Sequence, residues 1–448
     1  MHISHPFRNT KGTTCLTVLA AGLSAFFSNS TYAQSDAEML QKMTDSGMLT
    51  HQEAVDTAKL MSAVSAPIKT TTTAKVNISG GLQVQYAYLN TEATSGPDDG
   101  RYKTTQGFML RRVIATFKSD LGAGWGTQIS LDYILPHHMS NTFFYKKIDT
   151  NYFTGQIKAG YFKPNFCLEE YTSAFNQYCI ERSLATNYWT GATGADTKRG
   201  RTSKTKIGFG GMITGCWWYG KSQTIKGLDY AFGASNSDNY QLEFFDMHRG
   251  GAENSPDFWA SVQYNKKLDC GKIKLGLNLA YGDDANKIKD NKAEAIWGAN
   301  PFVEFEGSHL KTTFEFLIAG IDDGRKMRDG SYDYALPYGL NYSIEYKIPT
   351  AVGQIAPIFR YAFLETDGRG VSASDALRKA ANLDSADIYK SAQSFYFGIN
   401  WYIKGNDLKL QIGYEFAQFR GSPSAGKGVH EGNVLDANTI RTEMQIRF

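Results

Sequence analysis

The side chains with the most specific chemistry in this chain are lysines and arginines that alternate with apolar residues along short segments. A β-strand turns successive side chains to opposite faces, so every second residue shares a face. Closely spaced cations on one polar face can attract an anion and pass it onward. The lysines and arginines that this alternation places on the polar face are Lys75, Arg111, Lys158, Lys204, Lys206, Lys272, Lys274, Lys311, Lys347, Arg360, Lys409, Arg441 and Arg447.

Acidic residues on the same polar face suggest a different role for these lysines and arginines. They include Asp132, Asp149, Asp229, Glu304, Glu306, Glu315, Glu345, Glu415 and Glu443. Neighbouring strands place opposite charges side by side, so each cation could simply be paired with a carboxylate. Arg111 and Arg112 are ambiguous, because adjacent residues cannot both lie on one face of a regular strand. One of them is expected at the rim or at a β-bulge.

Histidines and cysteines give weaker signals. The adjacent pair His137 and His138 follows Pro136 in a short loop, where a solvated loop tip is the simpler interpretation. A catalytic site would need a nucleophile, a base and an acid together, and we predict no catalytic residues. The cysteine spacing has no metal-site pattern, and no cofactor is expected. A disulfide between Cys167 and Cys179 would fix the shape of the long connection that holds them both.

The elements that position these side chains are predicted from residue 75 onward. About sixteen segments have the alternation of strands, which fits an even-stranded antiparallel barrel. They are 75–90, 107–118, 123–135, 143–153, 157–163, 204–218, 226–236, 257–268, 271–282, 296–306, 309–320, 336–348, 352–364, 393–404, 406–420 and 438–448.

The connections between these segments alternate in length. Long ones, of which 164–203 is the longest, follow short turns such as Asp269–Cys270 and Gly405–Asn406. Outer-membrane barrels have long loops at one end and tight turns at the other, whereas a soluble β-sandwich predicts no such asymmetry. The fold class predicted is all-β, a transmembrane antiparallel β-barrel, with a short N-terminal helical segment in the periplasm.

The last segment alternates without a break and ends on Phe448, as the final strand of an outer-membrane barrel usually does. A polar inner face with this many strands leaves an aqueous lumen too wide for side chains to fill. Several tryptophans, including Trp217 and Trp259, are expected in the aromatic girdles at the membrane interfaces. These patterns together predict a pore.

The N-terminal residues are predicted to stand outside the barrel. Residues 1–33 have a basic start, a short apolar run and small residues before Gln34, which is the pattern of a cleaved signal peptide. Residues 34–74 are predicted to form a periplasmic helical leader and a tether, followed by the barrel over 75–448. Losing Arg8 and Lys11 lowers the formal charge from +3 by two, to +1. A chain so near neutrality gives no reason to expect a nucleic-acid partner.

Two stretches within residues 107–184 contain more specific motifs. They are Phe108–Arg112 with Thr116–Lys118 and Gly124–Gly126, and Gln156–Pro164 with Leu168–Ser173 and Glu181–Leu184. These motifs resemble the phosphate-selective porin O and P family of outer-membrane porins. Beyond them the resemblance is one of strand pattern and length.

The resemblance implies a sixteen-stranded homotrimer in the outer membrane of a Gram-negative bacterium. It also implies that the third loop, predicted here as 164–203, folds into the lumen and narrows it. That loop adds Arg182, Lys198, Arg199 and Arg201 to the candidate anion-binding residues. The function expected is passive diffusion of small hydrophilic solutes through a water-filled channel, with a bias toward anions such as phosphate. Its partners would be membrane lipid and these solutes.

Three alternatives remain open from the sequence. A sugar-specific porin would need an aromatic track along the lumen, for which the inward aromatics are Phe162, Phe302, Tyr396 and Tyr402. An outer-membrane protease or phospholipase would need a clustered Ser, His and acid. A structural or adhesive surface protein would use the long loops alone.

Overall fold

The computed structural model describes residues 44–45, 75–95, 102–134, 139–190, 207–235, 256–284, 294–326, 331–377, 388–421 and 434–448. The chain divides into two compact units, Met1–Thr73 and Ala74–Phe448. In the first unit only Thr44 and Asp45 are described, and both are helical. The predicted signal peptide and the remainder of the predicted leader lie outside the described residues.

The second unit is built almost entirely from strands. They are β1 Lys75–Ser95, β2 Tyr102–Gly122, β3 Trp125–Asp132, β4 Thr142–Asp149, β5 Phe153–Phe162, β6 Ile213–Ser222, β7 Leu228–Ser235, β8 Asp257–Leu268, β9 Gly271–Asp284, β10 Glu294–Gly307, β11 Leu310–Lys326, β12 Tyr332–Ala335, β13 Tyr338–Tyr346, β14 Ile348–Pro349, β15 Gln354–Glu365, β16 Val371–Ser372, β17 Ile388–Tyr389, β18 Ser391–Asn406, β19 Leu408–Arg420 and β20 Val434–Arg447. Three short helices are α1 Leu168–Tyr171, α2 Leu184–Thr190 and α3 Ala373–Ala376, and a 3₁₀ turn covers Ala174–Asn176. In the described part of the chain, no helix is long and apolar enough to cross a membrane.

Sixteen long strands form a closed antiparallel barrel, as predicted. Closure comes from β1 and β20, which pair from Gly81 opposite Arg447 to Ser95 opposite Val434. Phe448 continues this pairing, because its backbone both accepts from and donates to Gly80. The short strands β12 and β14 extend the ladder locally, while β16 and β17 form a separate pair. A closed sheet leaves no free strand edge to pair with another chain.

In contrast to a soluble protein, the barrel wall has an apolar outer face and a polar inner face. Leu275, Leu277 and Leu279 of β9 are exposed on the outside, while Asn278 is fully buried on the inside. A continuous outward row of large apolar residues suits contact with lipid, and an inner polar face can line water. The barrel is therefore a transmembrane one, and the inward phase predicted for Lys272 and Lys274 is the observed one.

The connections keep the predicted asymmetry. Turns of two residues join β2 to β3 and β8 to β9, whereas residues 163–212 separate β5 from β6. One predicted strand was wrong at its start, since 204–218 becomes a strand only at Ile213. The segment before it packs inside the barrel instead of joining the wall. Ile207 and Phe209 are fully buried, and the Ile207 N–H donates to the carbonyl of Tyr188 at 2.9 Å.

Candidate functional site

The described parts of the third loop (residues 163–212), which are 163–190 and 207–212, fold into the barrel. Helix α2 within this loop is buried over its whole length. A buried loop needs partners for its backbone polar groups, which wall side chains supply here. Wall side chains donate from Gln445 to the Phe175 carbonyl (3.0 Å), from Lys409 to that of Gln177 (2.6 Å), and from Asn400 and Gln411 to that of Tyr178 (2.8 and 3.0 Å).

Further contacts tie the loop to other parts of the wall. The Tyr178 hydroxyl contacts the hydroxyls of Thr313 on β11, at 2.9 Å, and Ser343 on β13, at 2.6 Å. The Leu168 N–H donates to the carboxylate of Glu315, also on β11. Because these partners lie far from where the loop leaves β5, the loop must cross the lumen. This crossing supports the predicted constriction.

A second connection, between β15 and β18, also turns inward. Its helix α3 accepts a hydrogen bond at the Ala376 carbonyl from Asn187 of α2, at 2.8 Å. Val371 is fully buried, and Leu377 accepts a weaker bond from Arg441 of β20, at 3.4 Å. Two loops, not one, therefore fill this part of the lumen.

A β-bulge on β2 settles how Arg111 and Arg112 lie. Gln83 of β1 stands opposite Arg112, but Val84 stands opposite Leu110, so Arg111 is the extra residue. Both guanidinium groups consequently find inward partners. Arg111 binds both carboxylate oxygens of Glu181 in the third loop, at 2.5 and 2.9 Å, while Arg112 donates to Gln83 at 2.6 Å.

Arg360 of β15 is the most connected cation of the lumen. Only 1% of its side chain is exposed, and it pairs with Glu169 of the third loop at 3.1 Å and with Glu415 of β19 at 2.9 Å. It also donates to the carbonyl of Glu181 at 2.6 Å. A buried guanidinium with this many charged and polar partners holds the loop against the wall instead of presenting free donors to a solute.

Other predicted lumen cations are also paired with carboxylates. The pairs are Arg182 with Glu170 at 2.8 Å, Lys274 with Glu304 at 3.0 Å, Lys311 with Glu304 at 3.2 Å, and Lys272 with Glu306 at 2.8 Å. Lys163, which was not among the predicted cations, also pairs with Glu170 at 2.6 Å. The alternative interpretation, in which a cation is paired with a neighbouring carboxylate, therefore holds for Arg111, Arg182, Arg360, Lys272 and Lys274. Lys198, Arg199, Arg201, Lys204 and Lys206 lie outside the described residues.

Lys158 differs from the paired candidates, because it contacts two aromatic rings and forms no ion pair with a described carboxylate. Its ammonium lies 4.8 Å from the ring centre of Phe143 on β4 and 4.6 Å from that of Tyr219 on β6. Two lysines that the sequence interpretation missed lie nearby. Lys118 and Lys147 each stand 5.9 Å from the ring centre of Tyr145.

We call Lys118, Lys147 and Lys158 the lysine arc. Lys118 is close enough to Lys158 for the two charges to interact. Cation–ring contacts leave the charge uncompensated, unlike an ion pair with a carboxylate. The alternation of β4 could have revealed Lys147, because it lies in phase with the predicted inward residue Asp149. Lys118 lies in phase with Arg112, whose direction the sequence left open.

A cavity of about 460 Å³ opens next to the arc, at the short-turn end of β4 to β8. Lys147 and Tyr219 belong to its lining, together with Asn165 from the start of the third loop. Lys221 and Asp229, paired across β6 and β7 at 4.0 Å, also line it, and both are partly or largely exposed. The arc therefore borders open space in the lumen.

The inward aromatics do not form the exposed track expected of a sugar channel. Phe162 and Phe302 are buried, and the Phe302 ring occupies the space that a side chain at Gly276 would need. Tyr396 lies against Arg360, and the Tyr402 hydroxyl donates to Glu345 at 2.5 Å. These rings are packed into the wall network.

The prediction that Trp217 and Trp259 lie in the membrane girdles was wrong. Both are buried inside the barrel, with ring centres 5.7 Å apart. The physical reason is the inward loop, whose Phe166 and Phe209 pack on Trp259 at 6.2 and 5.7 Å. Apolar rings from both ends of the third loop thus give the wall an apolar partner inside the lumen.

The predicted disulfide is absent, since Cys167 and Cys179 are both free and buried. They belong to different apolar clusters: Cys167 packs with Phe166 and Leu184, and Cys179 with Ile358 and Tyr396. The hydrogen bonds and ion pairs of the loop hold its shape instead.

Burial of these thiols predicts their reactivity. Desolvation raises the pKa of Cys179 to about 12, so at pH 8 only about one thiol in ten thousand is a thiolate. We expect a maleimide to label exposed Cys270 in the folded protein and to reach Cys167 and Cys179 only after denaturation without reductant. Peptide mass spectrometry reads the sites, with Cys270→Ser as the control. Unlabelled Cys167 and Cys179 after denaturation would indicate a disulfide.

Many solved structures are similar to this chain, among them two bacterial channel proteins. The anion-selective porin from Comamonas acidovorans has a TM-score of 0.53 and 12% identity, covering 84% of this chain and 100% of that one. The outer membrane channel DcaP of Acinetobacter baumannii has a TM-score of 0.52 and 11% identity, covering 84% and 97%. No family model and no curated protein matches the sequence. The resemblance to phosphate-selective porins stays a prediction, and at these identities the likeness concerns the fold: the chain has the sixteen-stranded barrel fold of outer-membrane porins.

Proposed function

We propose that this protein is an outer-membrane porin, a water-filled channel through which small hydrophilic solutes diffuse passively, with a bias toward anions. The observation that carries the bias is the lysine arc, whose charges contact aromatic rings and no described carboxylate. The polar inner face and the apolar outer face support the channel itself.

Two parts of the lumen differ in how their charges are compensated. Around the third loop, Arg111, Arg182 and Arg360 are each bound to a glutamate, so that their fields largely cancel. Along β2 to β5 the lysines of the arc form no such ion pair with a described residue, and a carboxylate on their side of the lumen is that of Asp149, two positions from Lys147 on β4. Charges within about 8 to 10 Å of one another act together at physiological salt. A passing anion is therefore favoured on the side of the arc.

The same distribution of charges favours a general anion preference over a site for phosphate alone. Forked recognition of phosphate requires free arginine donors. Arg111, Arg112, Arg360 and Arg441 use theirs on glutamates, on Gln83 or on backbone carbonyls, and Arg447 uses its donors on Asp407 and Asn176. Lysines act as point charges and serve chloride, phosphate and carboxylates alike. Export by a signal peptide and assembly as a homotrimer belong to the same proposal, and rest on the N-terminal pattern and the family resemblance.

A reversal-potential measurement tests this function. The purified protein is reconstituted in a planar bilayer under a KCl gradient, and phosphate is then titrated. We expect stepwise channels, a reversal potential displaced toward that of chloride, and a current that falls as phosphate competes. A reversal potential without preference would overturn the anion bias and leave a general pore. The absence of conductance steps would overturn the porin function altogether.

A further inference from the structure

The lysine arc also has the chemistry of a binding site for one class of solute. We propose that Lys158, with Phe143 and Tyr219, binds small aromatic carboxylates as they pass through the channel. The inference rests on the proposed function and goes beyond it, because it concerns which anions the lumen prefers. Its elements are a charge without a carboxylate partner, two flanking rings, and adjoining open space.

The barrel register places the rings on either side of the ammonium. Lys158 pairs with Tyr145 on β4 and Trp217 on β6, so Phe143 and Tyr219 are its diagonal neighbours on the same face. Lys158, Phe143 and Tyr219 are all partly buried, which leaves each with some surface toward the lumen. Diagonal neighbours across strands lie within reach of long and aromatic side chains.

The rings position the ammonium without using its hydrogen-bond donors. Attraction between a cation and an aromatic face holds the charge in place. A lysine has three N–H donors, and the contacts of Lys158 with described side chains are those with the two rings. Those donors are therefore free to bind an incoming carboxylate.

The platform beside Lys158 suits a flat apolar group. Tyr219 stacks on Trp217 with ring centres 6.1 Å apart and planes inclined by only 19°. Tyr219 also lines the 460 Å³ cavity, so the rim of this stack is reachable from the lumen. A bound carboxylate at Lys158 would place its substituent close to these rings.

Inorganic anions and small aliphatic acids use only half of this site. Chloride, phosphate and acetate can bind the ammonium, but they have no ring to stack. Offset or edge contacts between aromatic rings contribute enough to favour an aromatic carboxylate roughly two- to tenfold over an aliphatic one of equal charge. The uncompensated ammonium in turn favours such anions over neutral sugars.

The test compares benzoate with acetate and phosphate as blockers of chloride current through single channels. We expect benzoate to halve the current at a concentration several-fold lower than acetate does. Tyr219→Leu should remove this advantage of benzoate, and Lys158→Gln should weaken block by both acids. Lys146→Gln is the matched control, because Lys146 lies on β4 but on the outer face, over Trp125.

The outcomes separate this inference from the proposed function. Equal block by benzoate and acetate in a channel that still prefers chloride would overturn the inference alone. An unchanged benzoate advantage in Tyr219→Leu would overturn it as well. A wild-type channel without any chloride preference would overturn the anion bias on which it rests. Loss of the benzoate advantage in Lys146→Gln would place the effect outside the lumen and contradict the site.

Discussion

Replacing Arg360 by methionine is expected to loosen the third loop and to increase the single-channel conductance. Arg360 joins Glu169 and the Glu181 carbonyl of the loop to Glu415 of the wall, and only 1% of its side chain is exposed. Removing one partner of a buried ion pair costs about 3–5 kcal/mol, because the remaining charge is left without compensation. We expect repulsion between the freed glutamates to move the loop away from β15.

The measurement is single-channel conductance in bilayers, together with the thermal unfolding of the barrel in detergent. Lys272→Met is the matched control, since it also removes a lumen ion pair, that of Lys272 with Glu306. In this pair 65% of the lysine side chain is exposed. Such an exposed pair contributes only about 0–1 kcal/mol. Equal conductance and equal unfolding temperature in the two variants would show that Arg360 does not hold the loop.

The barrel was predictable from the sequence because a membrane wall imposes one rule on every strand. Alternation with a period of two gave the inward phase of Lys272, Lys274 and Arg360 correctly. It also required a bulge or rim position at Arg111 and Arg112, and the register of β1 with β2 contains that bulge. The loop asymmetry followed from turn chemistry, which is likewise local.

The errors share a physical cause, which is that the lumen is filled by contacts distant in sequence. The apolar residues around Ile207 and Trp217 have the pattern of a membrane strand, yet they pack on Phe166 and Phe209 of the inward loop. Similarly, alternation places a cation on the inner face without saying which carboxylate lies across the lumen. Pairs such as Arg111 with Glu181 depend on where the loop folds back.

Of the lysine arc only Lys158 was predicted, and its aromatic surroundings could not be, because they depend on the register of β5 with β4 and β6. Lys158 and Tyr219 are neighbours only when β5 and β6 pair with Gln156 opposite Tyr219. A single sequence predicts the phase of each strand, but not the stagger between strands. The aromatic side chains of β4 and β6 therefore looked like ordinary wall residues, although they surround the least compensated cation of the described lumen.

Replacing Lys118, Lys147 and Lys158 together by glutamate is expected to change the channel from preferring chloride to preferring potassium. The substitution reverses every charge of the arc, while the ion pairs around Arg111 and Arg360 remain and continue to balance themselves. The anion preference should disappear without reversing in the corresponding triple glutamine variant. Both results are read as the sign of the reversal potential under a KCl gradient.

The control for this reversal keeps the added charge but moves it to the other face. Lys146→Glu alters the outer side of β4, where Lys146 donates to the Ala123 carbonyl at 2.5 Å. It should leave the reversal potential as in the wild type, because the low-dielectric wall and the lipid headgroups separate it from the permeating ions. Circular dichroism and heat-modified gel mobility verify that each variant is folded. A folded triple glutamate variant that still prefers chloride would contradict the role of the lysine arc, and would assign selectivity to cations elsewhere in the lumen.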